Sequence, residues 1–216
     1  MAAVPLKPEY GPTLGGLLAP RWHAASPWVR RAVGAMGVAL LATAVAVVLT
    51  LVNPTYTHGG RLPFSFGYRD LYRVAPDPGG YVKVQKRGQG GALLYSFAVD
   101  PLVLPPYTGD PLAQLPLYAA GYIGRVRRTY PGFVLRGEGV TKVNLAQAYD
   151  VVYTTRVEGR EMFGKDVLML PERAGAREGV DIVMLTAPKA SHQVLSPVEV
   201  ATTGVLLRPL KSFSLG

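Results

Sequence analysis

The chain has 216 residues, no cysteine, and 23 Lys and Arg against 14 Asp and Glu, for a net charge of +9. Without cysteine it can have no disulfide, no thiolate metal site and no thiol nucleophile, so an exported domain must hold together by packing alone. The basic balance invites a nucleic-acid reading, but 4 of the cations precede the first apolar run and the other 19 are scattered among 13 acids, so no nucleic-acid partner is expected.

Residues 1–31 carry Pro5, Pro8, Pro12, Pro20 and Pro27 without any sustained period, the pattern of a disordered tail. Residues 32–52 then run AVGAMGVALLATAVAVVLTLV with no charge. At about 1.5 Å per residue they span roughly 31 Å, which matches a bilayer core of about 30 Å. This predicts a transmembrane helix. Arg30 and Arg31 stand at its leading edge, whereas the first cation beyond it is Arg61. The asymmetry places the N-terminus in the cytoplasm and the C-terminal part outside the cell membrane, with Trp28 and Tyr56 as interfacial aromatics. The competing reading is a cleavable signal, because Ala42-Thr43-Ala44 and Ala44-Val45-Ala46 have the small-x-small form of a cleavage site. The leading region and the apolar run are both longer than such a signal requires.

Residues 53–63, with two prolines and two glycines, read as a linker in which His58 is solvated. From 64 onward an extracytoplasmic α+β domain is expected, with strands at 64–74, 81–87 and 92–99 separated by Pro/Gly turns. A proline-rich connection at 100–109 precedes a helix that Asp110 caps and Pro111 begins. Leu112, Leu115, Ala119, Ile123 and Val126 form its core-facing stripe. Arg125, Arg127 and Arg128 load its last turn, either as a face that complements the helix dipole or as a contact for an anion or partner. Strands at 133–143, 149–157, 162–170 and 180–187 then form an antiparallel meander turned at Glu158-Gly159. Ser196-Pro197-Val198-Glu199 is a capping box that opens a closing helix, with Val198, Ala201, Thr202, Val205 and Leu206 inward and Pro209 at its end.

The segment 142–153 (KVNLAQAYDVVY) ahead of Glu158-Gly159 and the ending 206–213 (LLRPLKSF) resemble the PsbP-like family over about residues 64–213. The fold of that family is also that of the Ran-binding nuclear import factor. The resemblance implies an antiparallel sheet between helices, an αβα sandwich with two helices packed on it, and a non-enzymatic binding or assembly role.

No catalytic motif stands out. Of the three histidines, His23 precedes the apolar run, His58 lies in the linker and His192 in a loop, and no metal-ligand spacing occurs, so no enzyme, cofactor or metal site is expected. Asp150, Glu161, Asp166 and Asp181 could converge across strands, although alternation puts Asp150 and Asp181 on wet faces. The expected function is that of a single-pass, membrane-anchored, non-catalytic module, an accessory subunit partnered by another membrane or envelope protein. Two alternatives are a small-ligand or lipid-binding domain and an NTF2-like scaffold subunit of a secretion system.

Overall fold

The computed structural model describes residues 26–52, 54–69, 71, 73–75, 79–106, 109–171, 176–188, 190 and 193–216. The tail cations Lys7 and Arg21, together with His23 and His192, lie outside the described residues. Two compact units emerge, Met1–Val52 and Asn53–Gly216.

The first unit is described through helix α1, Pro27–Val52, which starts five residues before the apolar run. Ser26 is the reason: its Oγ accepts from Val29 N at 3.4 Å and its carbonyl from Arg30 N at 3.1 Å, while Pro27 fits the first helical position. Within the helix the Thr43 hydroxyl donates to the Ala39 carbonyl at 2.9 Å, so it brings no unsatisfied donor into an apolar setting. The stretch Pro27–Leu49 contains an 18-residue window with a mean hydropathy of 2.4, none of that window is buried by protein, and the helix is long and apolar enough to cross a membrane.

In the second unit a three-stranded sheet has the order β1-β2-β10, from Thr55–His58, Phe64–Gly67 and Ser214–Leu215. A seven-stranded sheet has the order β3-β4-β5-β9-β8-β7-β6, from Arg73–Ala75 (β3), Val82–Arg87 (β4), Leu93–Val103 (β5), Val134–Val143 (β6), Ala146–Val157 (β7), Arg160–Met169 (β8) and Glu178–Thr186 (β9). Every named pairing is antiparallel. Helix α2, Pro111–Thr129, covers one face of the large sheet, and its expected stripe is buried at Leu115, Ala119, Ile123 and Val126. The other face packs on the small sheet and the closing segment through Phe66, Phe97 and Phe213, all fully buried. With both faces covered, β8 and β9 are buried almost throughout.

Three segments differ from expectation. The stretch read as a linker contributes β1, because Thr-Tyr-Thr-His is a β-branched and aromatic run that pairs with β2 from Thr55↔Gly67 to His58↔Phe64. Strand β5 runs on into the proline-rich connection as far as Val103. Pro101 is tolerated there because β4 pairing stops at Val82↔Val99, leaving residues beyond it with a neighbour only on the β9 side. At the end of the chain the capping box is present, but it opens only a one-turn 3-10 helix, Pro197–Glu199. Positive φ at Ala201 (60°) and Gly204 (73°) prevents a continuous helix, and helical geometry resumes as α3, Leu207–Lys211, which contains Pro209 rather than ending at it.

Candidate functional site

Beneath α2 the sheet holds a cluster of acids and tyrosines. Asp181 on β9 lies opposite Asp100 on β5, and Asp166 on β8 lies opposite Val183, two residues along the same face of β9. Asp166 is wholly buried and Asp181 is 6 % exposed, which corrects the expectation of a wet face for Asp181: that face carries α2. Alternation alone cannot distinguish solvent from a covering helix. Tyr122 of α2 reaches down with its hydroxyl 2.6 Å from Asp166 Oδ2 and 2.6 Å from Asp181 Oδ2. Tyr153 of β7 donates to Asp166 Oδ1 at 2.8 Å. A phenol has one hydrogen, so it can donate to only one of the two carboxyls. The other contact requires a carboxylic acid donating to Tyr122 Oη.

Electrostatics agrees with a protonated acid beside Tyr122. Burial raises the Asp166 carboxyl from 3.8 to about 7, against the stabilising donations of Tyr122 and Tyr153. Burial, then the charge of Asp166, raises Asp181 well above the ordinary carboxylate range. The Tyr122 and Tyr153 hydroxyls are likewise pushed up, first by burial and then by Asp166. The arrangement ties α2 to β8 and β9 through the Tyr122 hydroxyl, which bonds two acids of which at least one is protonated. Gly164, opposite Tyr153 across β7 and β8, makes room for it, since a Cβ there would collide with the Tyr153 ring. Among the described residues no group of three or more His, Asp or Glu could hold a metal ion.

On the opposite side of the sheet lies an open cleft of about 450 Å³, within the range of small-molecule sites. Its floor is apolar, from Val143, Met169, Leu170 and Phe213, and Arg61 stands among its lining residues. The guanidinium of Arg61 lies 3.2 Å from Glu178 Oε1, with its side chain 79 % exposed. This cleft is a place for an amphiphile or a partner's side chain; the sealed acid cluster is not.

The residues singled out from sequence are spread apart. Trp28, Arg30 and Arg31 lie in the first turns of α1, where Trp28 is 77 % exposed. Tyr56 is half-buried in β1 with its ring 5.5 Å from that of Phe66. His58 is half-buried as well, 4.8 Å from the Phe64 ring and 4.7 Å from that of Tyr81. Arg125 stacks over Tyr118 at 5.0 Å and Tyr122 at 5.8 Å, while Arg127 and Arg128 are exposed in the last turn of α2. Asp150 pairs with Lys165 at 3.0 Å, and Glu161 is exposed. The sequence allowed Asp166 and Asp181 to converge across strands, but not the burial of the Tyr122–Asp166–Asp181 cluster. Its signal was present in VDIVML and KDVLML, where a lone acid among apolar residues on both alternations marks a strand covered on both faces.

No family model and no curated protein matches the chain. Among solved structures, LpqN of Mycobacterium tuberculosis, described as involved in cell envelope biogenesis, matches with a TM-score of 0.50 at 11% identity, over 76% of this chain and 91% of that one. PA94, a Pseudomonas aeruginosa protein of unknown function, matches with a TM-score of 0.40 at 13% identity, over 63% and 85%. The cyanobacterial PsbP of Synechocystis matches with a TM-score of 0.46 at 14% identity, over 76% of this chain and 93% of that one. At these identities the likeness is one of fold alone.

Proposed function

We propose that the chain is a single-pass membrane protein of a cell envelope. In this reading α1 crosses the bilayer with residues 1–31 in the cytoplasm, and the domain that follows works outside as a non-catalytic binding or assembly module, an accessory subunit of a larger membrane or envelope complex. The observation that carries the proposal is α1 itself, whose stretch Pro27–Leu49 contains an 18-residue window that averages a hydropathy of 2.4 with none of it buried by protein. Such a surface is costly in water and is satisfied by hydrocarbon. The Arg30-Arg31 pair at one end supports the orientation. The description of LpqN as a participant in cell envelope biogenesis supports the setting.

Extraction of the native membranes at alkaline pH, followed by intact mass measurement, tests the anchor. The protein stays in the pellet with residues 1–52 attached; a soluble protein whose N-terminus lies between 45 and 53 refutes it. The cleft supports a second reading, a binder of a small amphiphile seated on Met169 and Phe213 with an acidic end toward Arg61. Native mass spectrometry of the detergent-extracted protein separates the two readings: a bound small molecule favours the second, and a stoichiometric protein partner the first.

A further inference from the structure

Strand β6 closes one end of the seven-stranded sheet and, with ten residues, is its long edge, on whose outer side no strand pairs among the described residues. A two-residue turn joins it to β7. Positive φ at both Asn144 (48°) and Leu145 (75°) marks that turn as type I′, and Val143 pairs with Ala146 on either side of it. The pair flanking such a turn is hydrogen-bonded, so alternation directs the amides of Val143, Thr141 and Gly139 toward β7. The amides of Lys142, Val140 and Glu138 therefore face outward, along the open edge. A bulge between Leu135 and Gly137 interrupts the strand near its start and leaves 137–143 regular.

Long edges are ordinarily blunted; here the bulge lies near the start of the strand, and the regular stretch carries a charge on either side of an exposed apolar residue. Val140 is 74 % exposed at the centre of the regular stretch. Two residues before it stands Glu138, and two after it Lys142, both exposed and on the same side chain face. The Tyr149 hydroxyl donates to Glu138 Oε2 at 3.2 Å and holds that carboxylate on the α2 face.

We propose that β6 pairs with β6 of a second copy of this chain, antiparallel about a two-fold axis through Val140. That register sets Val140 against Val140, and Glu138 of each copy against Lys142 of the other. All three outward residues then meet partners whose amides also face outward, so the ladder closes without an orphaned donor. The interface is isologous, as a two-fold requires. The charges select the occupant: a strand with Glu and Lys placed symmetrically about a central Val is complementary to itself. Shifting the register by two residues puts Arg136 opposite Lys142 and loses both attractive pairs.

The test uses the full chain in mild detergent, with self-association measured by sedimentation. The wild type is a dimer. Lys142→Glu and Glu138→Lys each set like charges opposite one another twice and weaken the dimer by about tenfold, whereas the double reversal restores it. Since the chain has no cysteine, Val140→Cys is a clean probe. It is joined by a short bis-maleimide, while Gln147→Cys, exposed one strand inward, is not. A monomeric wild type overturns the proposal and leaves the edge to another protein. A dimer indifferent to both charge reversals also overturns it, because association then runs through α1 or another surface.

Discussion

The buried acids make the stability of the domain depend on pH in the direction opposite to that of most paired carboxylates. Asp166 keeps its proton up to about pH 7 when folded, against 3.8 ordinarily, because burial penalises its charge. Between those values the native state binds one proton more than the unfolded chain does, so stability falls as pH rises from about 4 to about 7 and is insensitive to this group outside that window. A shift of about three units at 1.36 kcal/mol each is on the order of 4 kcal/mol. Asp181, raised as well, contributes with the same sign. For a domain of this size that corresponds to a melting shift on the order of 10 °C. The assay is melting of the full chain in a mild neutral detergent, followed by near-ultraviolet circular dichroism at constant ionic strength. That signal reports chiefly on the tyrosines of the domain, because Trp22 and Trp28 both precede it. The comparison that isolates the cluster is wild type against Asp166→Asn, since other carboxylates titrate alike in both. The wild type minus variant difference is largest near pH 4 and declines toward pH 8. A difference that is flat, or grows with pH, refutes the protonated Asp166 beneath Tyr122.

Four further outcomes follow from the packing. Gly164→Ala drives a methyl group into the Tyr153 ring and disturbs its bond to Asp166, costing about 1–3 kcal/mol by denaturant titration. Phe213→Ala removes a fully buried ring 5.6 Å from Phe64 and 6.2 Å from Phe66, at about 3–5 kcal/mol in the same assay. Lys165→Ala strips Asp150 of a partner in a pair whose side chains are only 10 % and 18 % exposed, a loss of about 3 kcal/mol. Breaking the more open Arg87–Glu158 pair by Glu158→Gln costs less than about 1 kcal/mol.

Patterns of one period were legible in the sequence, and features set by what covers them were not. The charge-free run became α1, the stripe from Leu115 to Val126 became the buried face of α2, and the meander from β6 to β9 has its turn at Glu158-Gly159, where φ is positive at both residues. Thr55–His58 was hidden by its Pro and Gly neighbours, because four residues are too few to show alternation against such punctuation. The closing segment misled in the other direction. Its apolar residues recur at helical spacing, but Ala201 and Gly204 take left-handed backbone and Val198 faces solvent at 56 % exposure. The acid cluster required knowing that α2 lies over β8 and β9. The Tyr122 hydroxyl between Asp166 and Asp181 is a consequence of three elements meeting, which no local pattern encodes.

The anchored, outward-facing arrangement is tested most directly by adding protease to intact cells made permeable in their outer layers only. The account predicts that residues 53–216 are degraded while a fragment carrying α1 and the preceding residues survives in the membrane pellet. A fully protected domain would reverse the orientation, and a domain recovered whole in the soluble fraction without α1 would contradict the anchor.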